Sequence, residues 1–143
     1  MSNADNPKNG AKFQIQVKKW FEKNRIGSYC LEEKIQIGVE GKKKEHKFDI
    51  VEKSLNIVIE CKRYTWTVAG NVPSAKMAFI NEAVLYLSLL PKEYEKYVVL
   101  LYSYNEKRQE TLAEYYLRIN EHLLGDIKIA EYNPEIDEMR VIN

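Results

Sequence analysis

Two acidic residues and a lysine in this chain could form a hydrolytic centre. Asp49 lies in one short segment with strand-like alternation, and Glu60 and Lys62 lie in the next. Side chains alternate between the two faces of a strand, so Glu60 and Lys62 share a face. Hard divalent cations take carboxylate oxygens as ligands. A bound cation polarises a phosphoryl oxygen and activates water. An adjacent ammonium group can orient that water or stabilise developing charge. Two carboxylates and a lysine on one strand face therefore suit phosphodiester hydrolysis.

The register of these two strands decides whether the carboxylates meet. Matching the apolar faces predicts Ile50 opposite Ile59 and Asp49 opposite Glu60, across either a two-residue turn at Ser54-Leu55 or a four-residue loop at Lys53–Asn56. The same match places Phe48 on the Ile50 face, opposite Cys61. Like charges directly opposed at about 5 Å are destabilising, which a cation between them would relieve. The alternative is a solvated sheet face on which charges meet by chance.

The surrounding pattern predicts an α/β fold in which a mixed central sheet is flanked by helices. Ser74 is expected to cap the second helix, and the third and fourth strands should be parallel, joined by a right-handed crossover. We expect one domain, residues 1–143, with residues 1–7 flexible, and a solvated acidic segment at Glu131–Glu138. The predicted elements are helices at about Lys8–Asn24, Ala75–Leu90 and Arg108–Leu124, strands at about Cys30–Val39, His46–Val51, Asn56–Arg63 and Tyr97–Tyr104, and an edge strand at Ile127–Tyr132.

Composition is that of an ordinary globular domain, with 45% hydrophobic and 30% charged residues. No apolar run is long enough to span a bilayer and no signal peptide is evident, so a cytoplasmic protein without membrane contact is expected. Cys30 and Cys61 have no ligand partners at zinc spacing; a reduced state is the simpler expectation, with a disulfide left open. Residues 1–76 hold 15 Lys and Arg against 9 Asp and Glu, and residues 77–143 hold 7 against 12. The basic half could meet a polyanion, although chance surface charge would give the same balance.

The segments His46–Val51 and Asn56–Lys62, joined by a short turn, resemble the motif of the PD-(D/E)xK nuclease superfamily. The resemblance implies a restriction endonuclease-like αβββαβ core over about residues 8–104. It also implies a nuclease that depends on Mg²⁺ or Mn²⁺ and usually acts on DNA. Asp49 and Glu60 would ligate the metal, Cys61 would contribute its backbone carbonyl, and Lys62 would be the catalytic lysine.

The first helix resembles that of Mrr-type enzymes and Holliday junction resolvases. Gly10, Phe13 and Val17 fit a Gly-x-x-Phe-Glu-x-x-Val pattern, and the family's glutamate falls on Gln14. Glutamine is neutral and a weaker metal ligand, but it could orient a metal-bound water, so Gln14 joins the catalytic candidates. No proline precedes Asp49, which is a second departure from the family pattern.

Several residues near the motif are candidates for contacts with nucleic acid. Lysines before Asp49 could hold the phosphate backbone or simply solubilise a turn. Aromatic residues after Lys62 could stack on bases or close a core, and the start of the second helix could hold a phosphate. His46 is expected to be an inert turn residue. The nucleic-acid-binding candidates are Lys42, Lys43, Lys44, Lys47, Arg63, Tyr64, Trp66, Ser74 and Lys76.

The sequence therefore predicts a magnesium-dependent endonuclease, a hydrolase acting on DNA. One alternative is a nuclease-fold module that has lost catalysis and binds nucleic acid or a protein. Another is a toxin-type nuclease with a protective partner protein. Cutting both strands of a duplex would need a symmetric homodimer or sequential nicks. The sequence leaves open whether the substrate is DNA or RNA and single- or double-stranded.

Overall fold

The computed structural model describes residues 7–143, which form an α/β fold with a mixed sheet. The segment 1–6 of the predicted flexible terminus lies outside the described residues, and Pro7 already begins a helix. The helices are α1 (Pro7–Asn24), α2 (Ser74–Ser88) and α3 (Leu112–Asn120), which a 3-10 turn at Glu121–Leu123 follows. The strands are β1 (Tyr29–Ile37), β2 (Lys44–Glu52), β3 (Ile57–Lys62), β4 (Glu95–Leu101), β5 (Tyr104–Asn105), β6 (Glu110–Thr111), β7 (Lys128–Asn133) and β8 (Glu138–Val141).

The main sheet has the strand order β1-β2-β3-β4-β7-β8. The first three strands form an antiparallel meander. Strands β3, β4 and β7 are parallel, and β8 returns antiparallel to β7. The predicted mixed sheet and the parallel connection from β3 through α2 to β4 are confirmed. Strands β5 and β6 form a separate small hairpin.

Each face of the sheet is covered by helix. Phe13, Val17 and Phe21 recur every four residues along α1 and are buried against one face. The apolar residues of α2 and α3 cover the opposite face, where Val58, Val98, Leu100, Ile80, Val84, Leu87, Ala113 and Tyr116 form one cluster. We call these the α1 face and the α2 face. Within residues 7–143, no helix is both long and apolar enough to cross a membrane.

The start of α2 corrects the prediction for Ser74. Ser74 is the first helical residue, and Pro73 occupies the cap position without a side-chain hydrogen bond. Proline fits here because its fixed φ suits the helix start. The helix ends at Ser88, just before the predicted boundary at Leu90.

The predicted helix at Arg108–Leu124 begins too early. Tyr104 pairs with Thr111 in the β5–β6 hairpin, and α3 starts only at Leu112. The Thr111 hydroxyl accepts the Glu114 N–H at 3.1 Å, and the Glu114 carboxylate accepts the Thr111 N–H at 2.7 Å. This capping box is visible in the sequence as Thr-x-x-Glu. Two apolar residues of the predicted segment, Ile119 and Leu123, are exposed.

The predictions for the C-terminal segment are wrong in two respects. The strand expected at an edge, β7, lies between β4 and β8 inside the sheet. The segment expected to be a solvated acidic edge contains Glu131, which is 3% exposed and bonded to Arg140 at 3.0–3.1 Å. The half-exposed guanidinium of Arg140 pairs with this buried carboxylate and offsets the cost of burying its charge.

Candidate metal and catalytic site

The predicted register between β2 and β3 is confirmed where the strands pair. Ile50 lies opposite Ile59 and Val51 opposite Val58, and the backbone ladder stops there. Beyond that point, Asp49 Oδ2 accepts the backbone N–H of Cys61 at 2.8 Å. A carboxylate therefore replaces the strand carbonyl at the position where β2 separates from β3.

The face prediction for Phe48 is wrong. Phe48 packs on the α2 face, whereas Ile50 and Cys61 pack on the α1 face. The β1–β2 ladder skips the pair formed by Glu32 and Asp49, and Glu32 has a positive φ of 55°. Such irregularities re-aim side chains next to functional sites.

The Glu60 carboxyl is buried and close to that of Asp49. Glu60 is 6% exposed, and its pKa is raised to about 9, first by burial and then by hydrogen bonding to and repulsion from Asp49. The positive charge of Lys62 acts in the opposite direction on the pKa of Glu60. Glu60 is therefore protonated at neutral pH unless another cation joins the site.

His46 belongs to this site, which sequence reasoning missed. Its Nε2 lies 3.7 Å from Glu60 Oε1. Its ring stacks on Tyr86 with centroids 3.8 Å apart and meets Phe48 edge-on. Burial lowers the pKa of His46, against the opposite effect of Asp49, so the imidazole is neutral. In a regular strand, His46 and Asp49 would lie on opposite faces of the sheet. Because the strand is irregular at Asp49, simple alternation of faces could not place His46 in the site.

Lys62 and Cys61 flank the pair on β3. Lys62 is half-buried, and its charge influences the pKa of both Glu60 and Cys61. Burial raises the pKa of the Cys61 thiol, which keeps it protonated. Cys30 and Cys61 are both free thiols, so no disulfide joins them.

Gln14 lies at the same end of the sheet as Lys62. Phe13 contacts Tyr132 near the end of β7, and Phe21 contacts Tyr97 near the start of β4, so α1 runs antiparallel to these strands. Gln14 is half-buried. Within residues 7–143 the structure shows no hydrogen bond that joins it to either carboxylate.

The lysine-rich turn is also at this end. Lys42, Lys43 and Lys44 are exposed, and β2 begins where its antiparallel partner β3 finishes. Lys47 is exposed too, but its Nζ lies 3.4 Å from Glu32.

The two aromatic candidates after Lys62, Tyr64 and Trp66, lie in different surroundings. Trp66 is 8% exposed, and its indole N–H donates to the Ser103 carbonyl at 3.0 Å. Its ring packs edge-on against Tyr115, so Trp66 closes a core and is not presented for base stacking. Tyr64 is half-buried beneath the Lys76 ammonium, 5.6 Å from the ring centroid. Arg63 is half-buried and Ser74 is exposed at the start of α2.

The donor chemistry of the site fits a hard divalent cation with few protein ligands. Within residues 7–143, no group of three or more His, Cys, Asp and Glu side chains is arranged to hold an ion. Asp49 and Glu60 supply two carboxylates, and the Cys61 carbonyl is next in the chain. Mg²⁺ commonly uses one or two carboxylates and keeps several waters, so such a set is sufficient.

The chain matches no protein-family model, no curated protein and no solved structure at a significant level.

Proposed function

We propose that the chain is a metal-dependent nuclease of the PD-(D/E)xK type, with a restriction endonuclease-like core, that hydrolyses phosphodiester bonds in DNA. The observation that carries the proposal is the meeting of Asp49 and Glu60 where β2 leaves β3, with Glu60 buried and its pKa raised first by that burial and then by Asp49. Two facing carboxyl groups give a sheet no stability. Their placement beside Lys62 suits a cation and a phosphate group.

Asp49, Glu60 and the backbone carbonyl of Cys61 would hold Mg²⁺ or Mn²⁺. The ion, when bound, would polarise the phosphoryl oxygen and lower the pKa of the attacking water. Glu60 must release its proton to become a ligand. The hydrogen bond from the Cys61 amide fixes the orientation of the Asp49 carboxylate.

The cationic residues would act on the substrate. Lys62, two residues beyond Glu60 on the same face, would orient the water or stabilise charge on the phosphoryl group. Lys42, Lys43 and Lys44 would hold the backbone of the nucleic acid without reading its sequence.

A cleavage assay tests the proposal directly. Linear, supercoiled and single-stranded DNA, and RNA, are incubated with Mg²⁺, Mn²⁺ or EDTA. Cleavage should require metal and should fall by at least about 100-fold in Asp49→Asn and Lys62→Ala, as is usual when groups that stabilise transition-state charge are removed. Lys92→Ala and Glu93→Ala, exposed residues before β4 at the opposite end of the sheet, are matched controls. Cleavage that persists in Asp49→Asn would contradict the proposal.

A second candidate is a nuclease-fold module that binds nucleic acid without cutting it. The neutral Gln14, at the position where the related families carry glutamate, favours this candidate. It predicts DNA binding that is independent of metal and no cleavage by the wild-type protein. Calorimetry with Mn²⁺ separates the two candidates, since only the nuclease requires an ion bound through Asp49 and Glu60.

A further inference from the structure

A cavity of about 330 Å³ opens at the carboxyl ends of β4 and β7. Two of its lining tyrosines are strongly exposed, Tyr102 at 40% and Tyr104 at 48%. Ile136 adds an apolar surface. We call it the tyrosine pocket, defined by Tyr102, Tyr104, Asn133, Ile136 and Glu138.

The tyrosine pocket is on the same face and the same edge of the sheet as Lys62. Lys62 pairs with Leu100, which packs on the α2 face, and Tyr102 follows two residues later. The Tyr102 N–H continues the ladder by donating to the Tyr132 carbonyl at 2.9 Å. Strand spacing and rise place the Cα atoms of Lys62 and Tyr102 about 8 Å apart, roughly two stacked base steps of about 3.4 Å.

The floor of the pocket is a closed network of charged groups. Glu131 accepts the Thr111 hydroxyl at 2.6 Å and the Arg140 guanidinium at 3.0–3.1 Å. Arg140 also donates to Glu114 at 2.9 Å. These groups satisfy one another, so they hold the wall in place instead of awaiting a ligand.

The rim of the pocket presents polar groups that no described residue engages. Among residues 7–143, the hydroxyls of Tyr102 and Tyr104, the amide NH₂ of Asn133 and the carboxylate of Glu138 make no side-chain hydrogen bond. They offer donors and acceptors beside two aromatic rings. Three lining carboxylates against one arginine disfavour an anionic group such as phosphate. A flat, uncharged ring with polar edges is the chemistry that fits.

We propose that the tyrosine pocket binds one unpaired nucleobase of the DNA substrate, stacked on Tyr104, the more exposed of its two tyrosine rings. This inference rests on the proposed nuclease function and specifies its substrate class. A base must leave the duplex to enter a pocket, which costs unpairing and unstacking energy. The preferred substrate is therefore DNA that is single-stranded, or that carries a bulged or frayed base, beside the scissile bond.

Binding of labelled oligonucleotides in EDTA tests the proposal without cleavage. Fluorescence anisotropy compares a single strand, a matched duplex and a duplex with one bulged 2-aminopurine, whose own fluorescence reports stacking. Tyr104→Leu should weaken binding of the single strand and the bulged duplex on the order of tenfold and remove the 2-aminopurine signal. Tyr104→Phe should keep both, because it retains the ring. Binding of the matched duplex should be unchanged in each variant.

Phe79→Leu is the matched control, since Phe79 is 46% exposed on α2 outside the pocket. The inference is overturned if Tyr104→Leu binds the bulged duplex as tightly as wild type, or if Phe79→Leu loses as much. If cleavage depends on Asp49 but Tyr104→Leu has no effect on binding, the nuclease function is supported and the base-binding pocket is contradicted. If Tyr104 is needed for stacking but no cleavage occurs, the pocket is supported and the nuclease function is contradicted. A wild-type protein that binds none of these oligonucleotides in EDTA would overturn the pocket assignment, and the metal-dependent cleavage assay would then decide the nuclease separately.

Discussion

At the scale of single residues, Glu60 is where folding and function conflict. Its pKa is raised to about 9 by burial and by Asp49. Between the ordinary pKa of a glutamate and about 9, the folded state holds a proton that the unfolded state has lost. The contribution of Glu60 to the unfolding free energy must therefore fall as pH rises through this window. Glu60 alone should make the metal-free protein more stable at pH 5 than at pH 8, whereas the lowered pKa of His46 acts in the opposite direction below the ordinary histidine pKa.

The Glu60→Gln variant should remove that pH dependence. We expect it to stabilise the metal-free protein by about 2 kcal/mol at pH 8, because a neutral amide replaces a buried carboxyl that must take up a proton from solution on folding. Urea unfolding in EDTA from pH 5 to pH 9 measures the effect. Glu138→Gln, an exposed carboxyl, serves as the control. An equal pH slope in wild type and Glu60→Gln would refute this account of Glu60.

The Gln14→Glu variant tests whether the first helix faces the site. A third carboxylate at this end of the sheet should raise Mn²⁺ affinity by about tenfold, equivalent to about 1.4 kcal/mol. Without metal it should lower stability, since it adds a like charge near Asp49. Calorimetric titration with Mn²⁺ measures the affinity, and the Gln16→Glu variant is the comparison. Equal effects from the two positions would show that Gln14 has no particular relation to the site.

Residue patterns predicted the Asp49–Glu60 encounter but not its surroundings. The register depended only on the alternation of Ile50, Ile57 and Ile59, which is local. The positive φ of Glu32 could not be predicted, because this conformation is usually adopted by glycine or asparagine and not by glutamate. Because that irregularity shifts the faces at Asp49, the positions of Phe48 and His46 could not be read from alternation.

At the scale of elements, the start of α3 links a helix cap to the buried charge network. The Thr111→Ala variant should destabilise the fold by about 2–3 kcal/mol. About 1 kcal/mol comes from the lost cap, and the rest comes from a buried acceptor on Glu131 that loses its hydroxyl donor. Thr111→Ser keeps the hydroxyl and should cost much less. Thermal and urea unfolding compare the variants, and equal losses from Ala and Ser would contradict the role of the hydroxyl.

Helix and strand cores were predictable, whereas several of their ends were not. The apolar spacing predicted α1 and α2 to within two residues at each end, since a helix that packs on a sheet must bury one stripe. The boundary of α3 was misplaced because Arg108 and Glu110 suit a helix equally well. The Thr111-x-x-Glu114 capping box was the signal that would have placed it.

At the scale of the whole molecule, three consecutive exposed lysines lie at the end of the sheet that carries the site. If Lys42, Lys43 and Lys44 contact phosphates, replacing all three by Gln should weaken binding of single-stranded DNA and reduce its salt dependence. The slope of log affinity against log salt should fall by up to about 2. Replacing Lys53 and Lys92, exposed at the other end, should change the slope little. Equal changes from the two sets would indicate unspecific charge attraction.

The position of β7 inside the sheet and the presence of β8 could not be predicted from the sequence. β7 pairs with β4, about 30 residues earlier, and β8 pairs with β7 through a sharp turn at Asp137. In the sequence, Glu131 resembles a surface charge, and it becomes buried and paired with Arg140 only when these strands meet. Long-range pairing of this kind leaves little trace in local periodicity.

The hydrogen bond between Asp49 and the Cys61 amide also makes the site observable in solution. A backbone N–H bonded to a carboxylate reports the charge state of that carboxylate, because protonation or ligation of Asp49 changes the strength of the bond. The amide resonance of Cys61 should therefore shift on titration with a divalent cation, while that of Val51, inside the regular ladder, stays in place. One peak in a nitrogen–proton spectrum can thus follow the occupancy of the centre without any substrate.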